Sequence, residues 1–240
     1  METIVKLENI SKSFQGVEVL KDLNLTIQKG EFVAIIGSSG CGKSTLLNII
    51  GLLDKQDQGD MTLFGEKNVR PFSHKAEMIL RDRIGYLFQN YALIENQTVG
   101  YNLEIVFDHK VKKEEKKQKI QEALEKVGLK GIENKKVFKC SGGEQQRIAL
   151  ARLLIKPCDL VLADEPTGNL DIENREKVLQ ILKDLNQLGK TIILVTHDLD
   201  VAKECQKVFK MSNHQIKSYK YNGINNSSLV KKIIYPFKLF

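Results

Sequence analysis

The chain has 240 residues and a formal net charge of +7, long enough to bury one substantial core. No apolar run reaches the length of a bilayer span, and the N-terminus lacks the charged, apolar, small-residue order of a secretion signal. The four cysteines, Cys41, Cys140, Cys158 and Cys205, show no metal-ligand spacing and are expected to be free thiols. The positive charge would suit nucleic acid or an anionic membrane. However, the lysines are densest between Lys110 and Lys130, where Glu114, Glu115, Glu122 and Glu125 interleave with them. Ile120, Leu124 and Val127 form an apolar stripe there, so a solvated helix is the better reading.

From Thr3 to about Phe64 the pattern predicts mostly antiparallel strands, together with a glycine loop and the helix after it. EFVAII is a short apolar run of strand type that ends at Ile36. STLLNIIGLL comes next with helical spacing. Between them, Gly37 to Ser44 fits G-x-x-x-x-G-K-[ST] at every fixed position. Gly37, Ser38, Ser39, Gly40, Cys41 and Gly42 form the loop. Its glycines let backbone N–H groups turn inward around phosphate oxygens, and the helix N-terminus adds its dipole. Lys43 then meets the β- and γ-phosphates of a nucleotide, Ser44 offers its hydroxyl to Mg²⁺, and Thr45 adds a hydrogen bond. Cys41, just before a helix N-terminus, is either a reactive thiol or a filler position.

IGYLF, Ile84 to Phe88, reads as the next strand of the catalytic core. Gln89 at its end can reach a metal or a water through its amide oxygen. From Asn90 to Ala151 the chain should be mostly helical, with Thr98 as the N-cap of VGYNLEIVF. That segment closes on CSGGEQQR, a glycine turn opening a long helix. Ser141, Gly142 and Gly143 make a second anion site with no obvious task inside a single nucleotide pocket.

LVLA is a continuous apolar run, as expected of a strand buried on both faces of a parallel sheet. Asp164 and Glu165 stand at its C-terminal end, where open α/β sheets place their ligands. Adjacent carboxylates on a strand are expected to point to opposite sides, one to the metal and one to the γ-phosphate. His197 ends a further buried strand, TIILV. VFKMS-NH-QIKSY reads as a final hairpin. NGINNSS then reads as a linker, and LVKKIIYPFKLF as an apolar, basic end. That end could meet lipid headgroups or a membrane subunit, and a frayed tail fits equally.

With these motifs in this order, the chain resembles the nucleotide-binding subunit of an ABC transporter over roughly Ile4 to Ser218. The resemblance implies an α/β P-loop NTPase core of ABC type, with an antiparallel β subdomain and a helical signature subdomain at about 90–151. It implies one nucleotide-binding domain over 1–218 and a basic tail over 219–240. GSSGCGKS is similar to Walker A, and LVLAD, ending at Asp164, to Walker B. Glu165 falls on the family's catalytic carboxylate, Gln89 on its Q-loop residue and His197 on its switch histidine. SGGEQ, including Glu144, is similar to the signature, although Cys140 stands where leucine is usual. GNLD, ending at Asp171, is similar to the D-loop. Phe14 falls where an aromatic stacks on adenine.

The same resemblance implies an Mg²⁺-dependent ATPase, with Ser44, Gln89 and Asp164 at the metal. Two copies should share ATP, each Ser141–Gly143 turn meeting the γ-phosphate held by the other copy. The expected partners are that second copy and a separate membrane-spanning permease, with the chain on the cytoplasmic face of the membrane and no nucleic acid bound. ABC ATPases that act on DNA or ribosomes carry a long coiled coil or two cassettes, and neither appears here. EPTGNLD, SGGEQQR and GLLD resemble the macrolide-export and lipoprotein-release group. YLFQNYALIENQTV is similar to bacteriocin-export ATPases of the lactococcin type. A regulatory ATPase that drives a membrane partner without transport is the alternative.

Overall fold

The computed structural model describes residues 2–168 and 170–220. Strand β1 (Thr3–Phe14) turns through Gln15 and Gly16 into β2 (Val17–Gln28). Both turn residues are left-handed, at φ 50° and 82°, the geometry that matches the twist of a two-residue hairpin. β1 also pairs antiparallel with β4 (Gln58–Leu63), and β4 with β5 (Glu66–Lys67), in the order β2-β1-β4-β5.

The second sheet contains β3 (Phe32–Ile36), β6 (Ile84–Leu87), β7 (Leu160–Asp164), β8 (Thr191–Thr196), β9 (Lys207–Ser212) and β10 (Gln215–Ser218). Its order is β10-β9-β3-β8-β7-β6; all neighbours are parallel except the edge strand β10. β3 and β8 are buried along their whole length, as continuous apolar runs require when both faces are covered. Side chains alternate between two cores. Val33, Ile35, Leu162, Ile193 and Val195 face helix α1 (Lys43–Ile50) and the antiparallel sheet. Ala34, Ile36, Val161, Ala163 and Leu194 face the opposite side, toward the helices after β6 and β7.

Between β6 and β7 lie α3 (Val99–Glu104), α4 (Lys113–Lys126), a 3-10 turn at Val137–Lys139 and α5 (Gly142–Ile155). Thr98 caps α3 as expected, accepting from the Tyr101 N–H at 3.1 Å. α4 buries Ile120, Ala123 and Leu124, and the adjoining Val127 is buried too, so the lysine-rich stretch is the solvated helix its spacing indicates. α5 continues past Ala151 to Ile155. The loop after Gln89 is tied down from two sides. Arg152 donates to the Tyr91 and Ala92 carbonyls, and buried Asn102 bonds both the N–H and the carbonyl of Ile94.

Three helices complete the fold: α2 (His74–Asp82), α6 (Ile172–Gln187) and α7 (Leu199–Lys203). The expected hairpin is β9–β10, turning at Asn213 and His214. The linker and the apolar, basic end, from Tyr221 on, lie outside the described residues. No helix among the described residues is long and apolar enough to cross a membrane.

Leu162, fully buried in the interior strand β7, tests this packing. Leu162→Ala should cost about 2–5 kcal/mol, because the surrounding side chains refill the space only in part. Chemical denaturation measures it, and a loss well under 1 kcal/mol would contradict a closed core at that point.

Candidate functional site

β3 delivers the chain into the Gly37–Gly42 loop, and α1 leaves it. Two glycines there are needed for different reasons. A Cβ at Gly37 would lie 2.6 Å from the Cys41 Sγ and 2.7 Å from the Met211 carbonyl oxygen. Gly42, the N-cap of α1, has φ 97°, and a Cβ there would also press on Val19 and Leu20 at 3.0 Å. The loop therefore closes against β2 and β9 with its backbone alone. Lys43 is 7% exposed and its ammonium donates to the Gly37 and Ser38 carbonyls at 2.9 and 3.0 Å. Its charge is thus held at the loop's centre. Cys41 is half-buried and packed with the core beneath the loop, the arrangement of a filler residue.

The end of β7 faces this loop. The Ser44 hydroxyl donates to the Asp164 carboxylate at 3.1 Å, joining the first turn of α1 to the strand. Burial pushes the Asp164 carboxyl above its ordinary range; the Ser44 hydrogen bond lowers it, nearby Glu165 raises it and Lys43 lowers it. A carboxylate whose charge is disfavoured by burial gains most from a cation beside it. With a serine hydroxyl in the same place, the donor set is all oxygen, which fits a hard divalent ion such as Mg²⁺.

Glu165 departs from the sequence expectation. β7 stops at Asp164, and Glu165 takes a left-handed conformation at φ 46°. The two carboxylates are therefore separated by a backbone twist rather than by strand alternation. The twist is held by Glu165 N–H to the Val195 carbonyl at 3.0 Å and by Gly168 N–H to the Glu165 carbonyl at 3.2 Å. A non-glycine residue kept in that region stores strain of about 1–3 kcal/mol, which concentrates at functional sites. The His197 ring Nδ1 lies 3.1 Å from Glu165 Oε2, and the His197 backbone N–H is 3.4 Å from the same oxygen. Arg175 holds Asp198, the next residue, at 2.9 Å.

A cleft of about 620 Å³ collects most of the expected residues: Ser39, Gly40, Gly42, Lys43, Ser44 and Thr45 from one side, Gln89, Glu165 and His197 from the other. Asp164 joins them through Ser44. Gly37, Ser38 and Cys41 belong to the loop but do not line the cleft. Phe14 also falls outside the lining. The residue is 45% exposed at the end of β1, with the Lys12 ammonium 4.9 Å from its ring centre. Val19 and Gly168 line the cleft and were not singled out from the sequence. Gly168 lies inside EPTGNLD and could have been found there. Val19 is a strand valine with no local signal.

The signature turn lies elsewhere. Ser141 caps α5 in a capping box: its side chain accepts from the Glu144 N–H, and Glu144 accepts from the Ser141 N–H at 2.7 Å. Both Glu144 oxygens also take the Lys135 ammonium, at 3.0 and 2.9 Å. Lys135 first, then the Ser141 N–H, holds the Glu144 carboxyl below its usual range. Glu144 is thus committed to shaping the turn, which leaves Gly142 and Gly143 open above it. Asp171 caps α6, accepting from Asn174 N–H at 2.8 Å. Two contacts missed from the sequence tie α5 to the segment after β7: Gln146, buried, donates to the Pro166 carbonyl, and Arg147 reaches Asn174 on α6 at 3.2 Å.

A parallel sheet, a glycine loop around a buried lysine, and a hydroxyl–carboxylate pair at the ends of α1 and β7 define a P-loop nucleoside triphosphatase. The sequence family described as "ABC transporter" matches residues 20–168, and the chain belongs to that family. It is 45% identical over 209 residues to the uncharacterized ABC transporter ATP-binding protein YvrO of Bacillus subtilis, covering 85% of this chain and 91% of that protein. It is 39% identical over 220 residues to the macrolide export ATP-binding/permease protein MacB of Bartonella quintana, covering 90% of this chain but only 33% of that relative. Among solved structures, the ATP-binding cassette MJ0796, dimeric and bound to ADP and Pi, superposes with a TM-score of 0.85 at 37% identity. That likeness covers 92% of this chain and 100% of the other. The protein is an ABC-type ATPase with the fold its motifs imply.

Proposed function

We propose that this ATPase binds Mg²⁺·ATP in the cleft beneath Glu165 and His197, pairs with a second copy, and powers a membrane-embedded exporter. The observation that carries the pairing is the capped Ser141–Gly143 turn, which exposes backbone donors at the start of a 14-residue helix outside the cleft of its own chain. Two copies related by a two-fold axis give each turn a γ-phosphate to meet. The dimeric MJ0796 structures support this reading.

The loop N–H groups and Lys43 hold the β- and γ-phosphates. Ser44, Asp164 and Gln89 would hold the metal, which would supply charge neutralisation at the phosphates. Glu165 accepts the proton of the attacking water, and His197 fixes its carboxylate and faces the γ-phosphate. Phe14 stacks beside the base. Asp171 orders the start of α6 next to the partner. Once the γ-phosphate is cleaved, the contact shared by the two copies is lost and the interface opens.

The partner in this reading is a membrane-spanning permease, which the ATPase meets at the cytoplasmic membrane face. In the MacB relatives the name joins ATP-binding and permease parts in one protein, of which this chain spans about a third. Their names support export. The bacteriocin-type stretches of the sequence favour a peptide or antimicrobial cargo.

Sedimentation tests the pairing. The Glu165→Gln chain should dimerise with ATP and stay monomeric with ADP. Adding Ser141→Arg to it should keep it monomeric with ATP, because the arginine fills the space above the turn. A Glu165→Gln chain that is monomeric with ATP at every accessible concentration would sink the proposed homodimer.

A further inference from the structure

His214 occupies a position that its own turn does not favour. Asn213 and His214 connect β9 to β10 with φ of 49° and 64°. Two-residue hairpin turns with both residues left-handed prefer Asn followed by glycine, because glycine has no Cβ to strain. Asn213 fits that rule. His214 carries a side chain where the turn alone would do better without one. A strained residue persists when surrounding contacts hold it.

Those contacts lie on β2. The His214 carbonyl accepts from the Lys21 N–H at 2.9 Å. Its ring Nδ1 lies 3.3 Å from the Val19 carbonyl oxygen. A carbonyl can only accept, so the ring donates there from Nδ1. Val19 is half-buried and lines the nucleotide cleft. On that side it also abuts the phosphate loop: a Cβ at Gly42 would lie 3.0 Å from both Val19 Cγ1 and the Val19 carbonyl oxygen. The His214 ring, Val19 and Gly42 therefore pack against one another in turn, drawn from chain positions far apart.

We infer that His214 is a positioning residue for nucleotide binding: its ring clamps Val19 so that the cleft wall keeps its spacing from the phosphate loop. The inference rests on the ATP site proposed above. The Lys21–His214 backbone bond would survive any substitution; the bond to Val19 is what the ring adds. The role belongs to ground-state binding, because the clamp acts on the cleft wall beside the phosphate loop.

His214→Gly isolates the ring. Glycine suits the left-handed backbone and keeps the bond to Lys21, so the thermal midpoint without nucleotide should stay level or rise. The KM for ATP should rise about five-fold, the scale of one modest hydrogen bond, with kcat unchanged. His214→Asn should restore most of the affinity, since asparagine tolerates the same φ and carries a donor nitrogen at the same δ position. Wild-type KM in His214→Gly overturns the inference. So does a lowered thermal midpoint in that variant, or an Asn variant no better than the Gly variant. If the wild-type chain itself shows no saturable ATP turnover, it is the proposed ATP site that fails, and the two outcomes are distinct.

Discussion

Glu165→Gln is expected to lower ATP turnover by about 10²–10⁴-fold while ATP binding persists, the range over which a positioned general base contributes. The reason is local. Glu165 is turned by its left-handed backbone into the cleft, and one of its carboxylate oxygens lies against the His197 ring and backbone N–H. Glutamine keeps the size and can keep the contact to the His197 N–H, but it takes no proton from water. The phosphate loop, Ser44 and Asp164 are untouched. Turnover and equilibrium nucleotide binding should be measured on the same preparation. Turnover of the Gln variant within about ten-fold of wild type would remove Glu165 from the proton-accepting role.

Lys43→Ala should have the opposite signature, losing binding as well as turnover. The ammonium sits among the Gly37 and Ser38 carbonyls at the floor of the loop. A charge-assisted hydrogen bond from that ammonium to a phosphate would contribute about 1.5–3 kcal/mol, so ATP affinity should fall by about 10- to 100-fold. Removing the side chain also leaves those carbonyls without their donor. The fold should survive, because Lys43 belongs to neither apolar core. Equilibrium titration with a fluorescent ATP analogue, alongside circular dichroism, reads both effects. An alanine variant that binds ATP as tightly as wild type would show that the backbone alone cradles the phosphates.

Much of this protein is legible in its sequence because the signals are local. The Gly37–Ser44 spacing, the continuous apolar runs of β3, β7 and β8, the Thr98 cap and the Asn213–His214 turn each depend on residues within a few positions of one another. Helix α2 was not legible in the same way. HKAEMILRD buries only Ala76 and Ile79, so its apolar stripe is too thin to stand out among its charges.

By itself, the sequence determined which residues are the candidates for phosphate and metal chemistry and which elements present them, since glycine spacing and apolar periodicity are properties of short segments. The tertiary structure alone decided how they are aimed. Glu165 leaves the strand in a left-handed turn because Val195 and Gly168 hold its backbone there. Glu144 is spent on Lys135 and the Ser141 cap rather than left free for a nucleotide. Val19 becomes a wall of the cleft because the β9–β10 turn and the phosphate loop both pack against it. Each is a contact between residues brought together only when the two sheets pack, and no local pattern records a partner that distant in the chain.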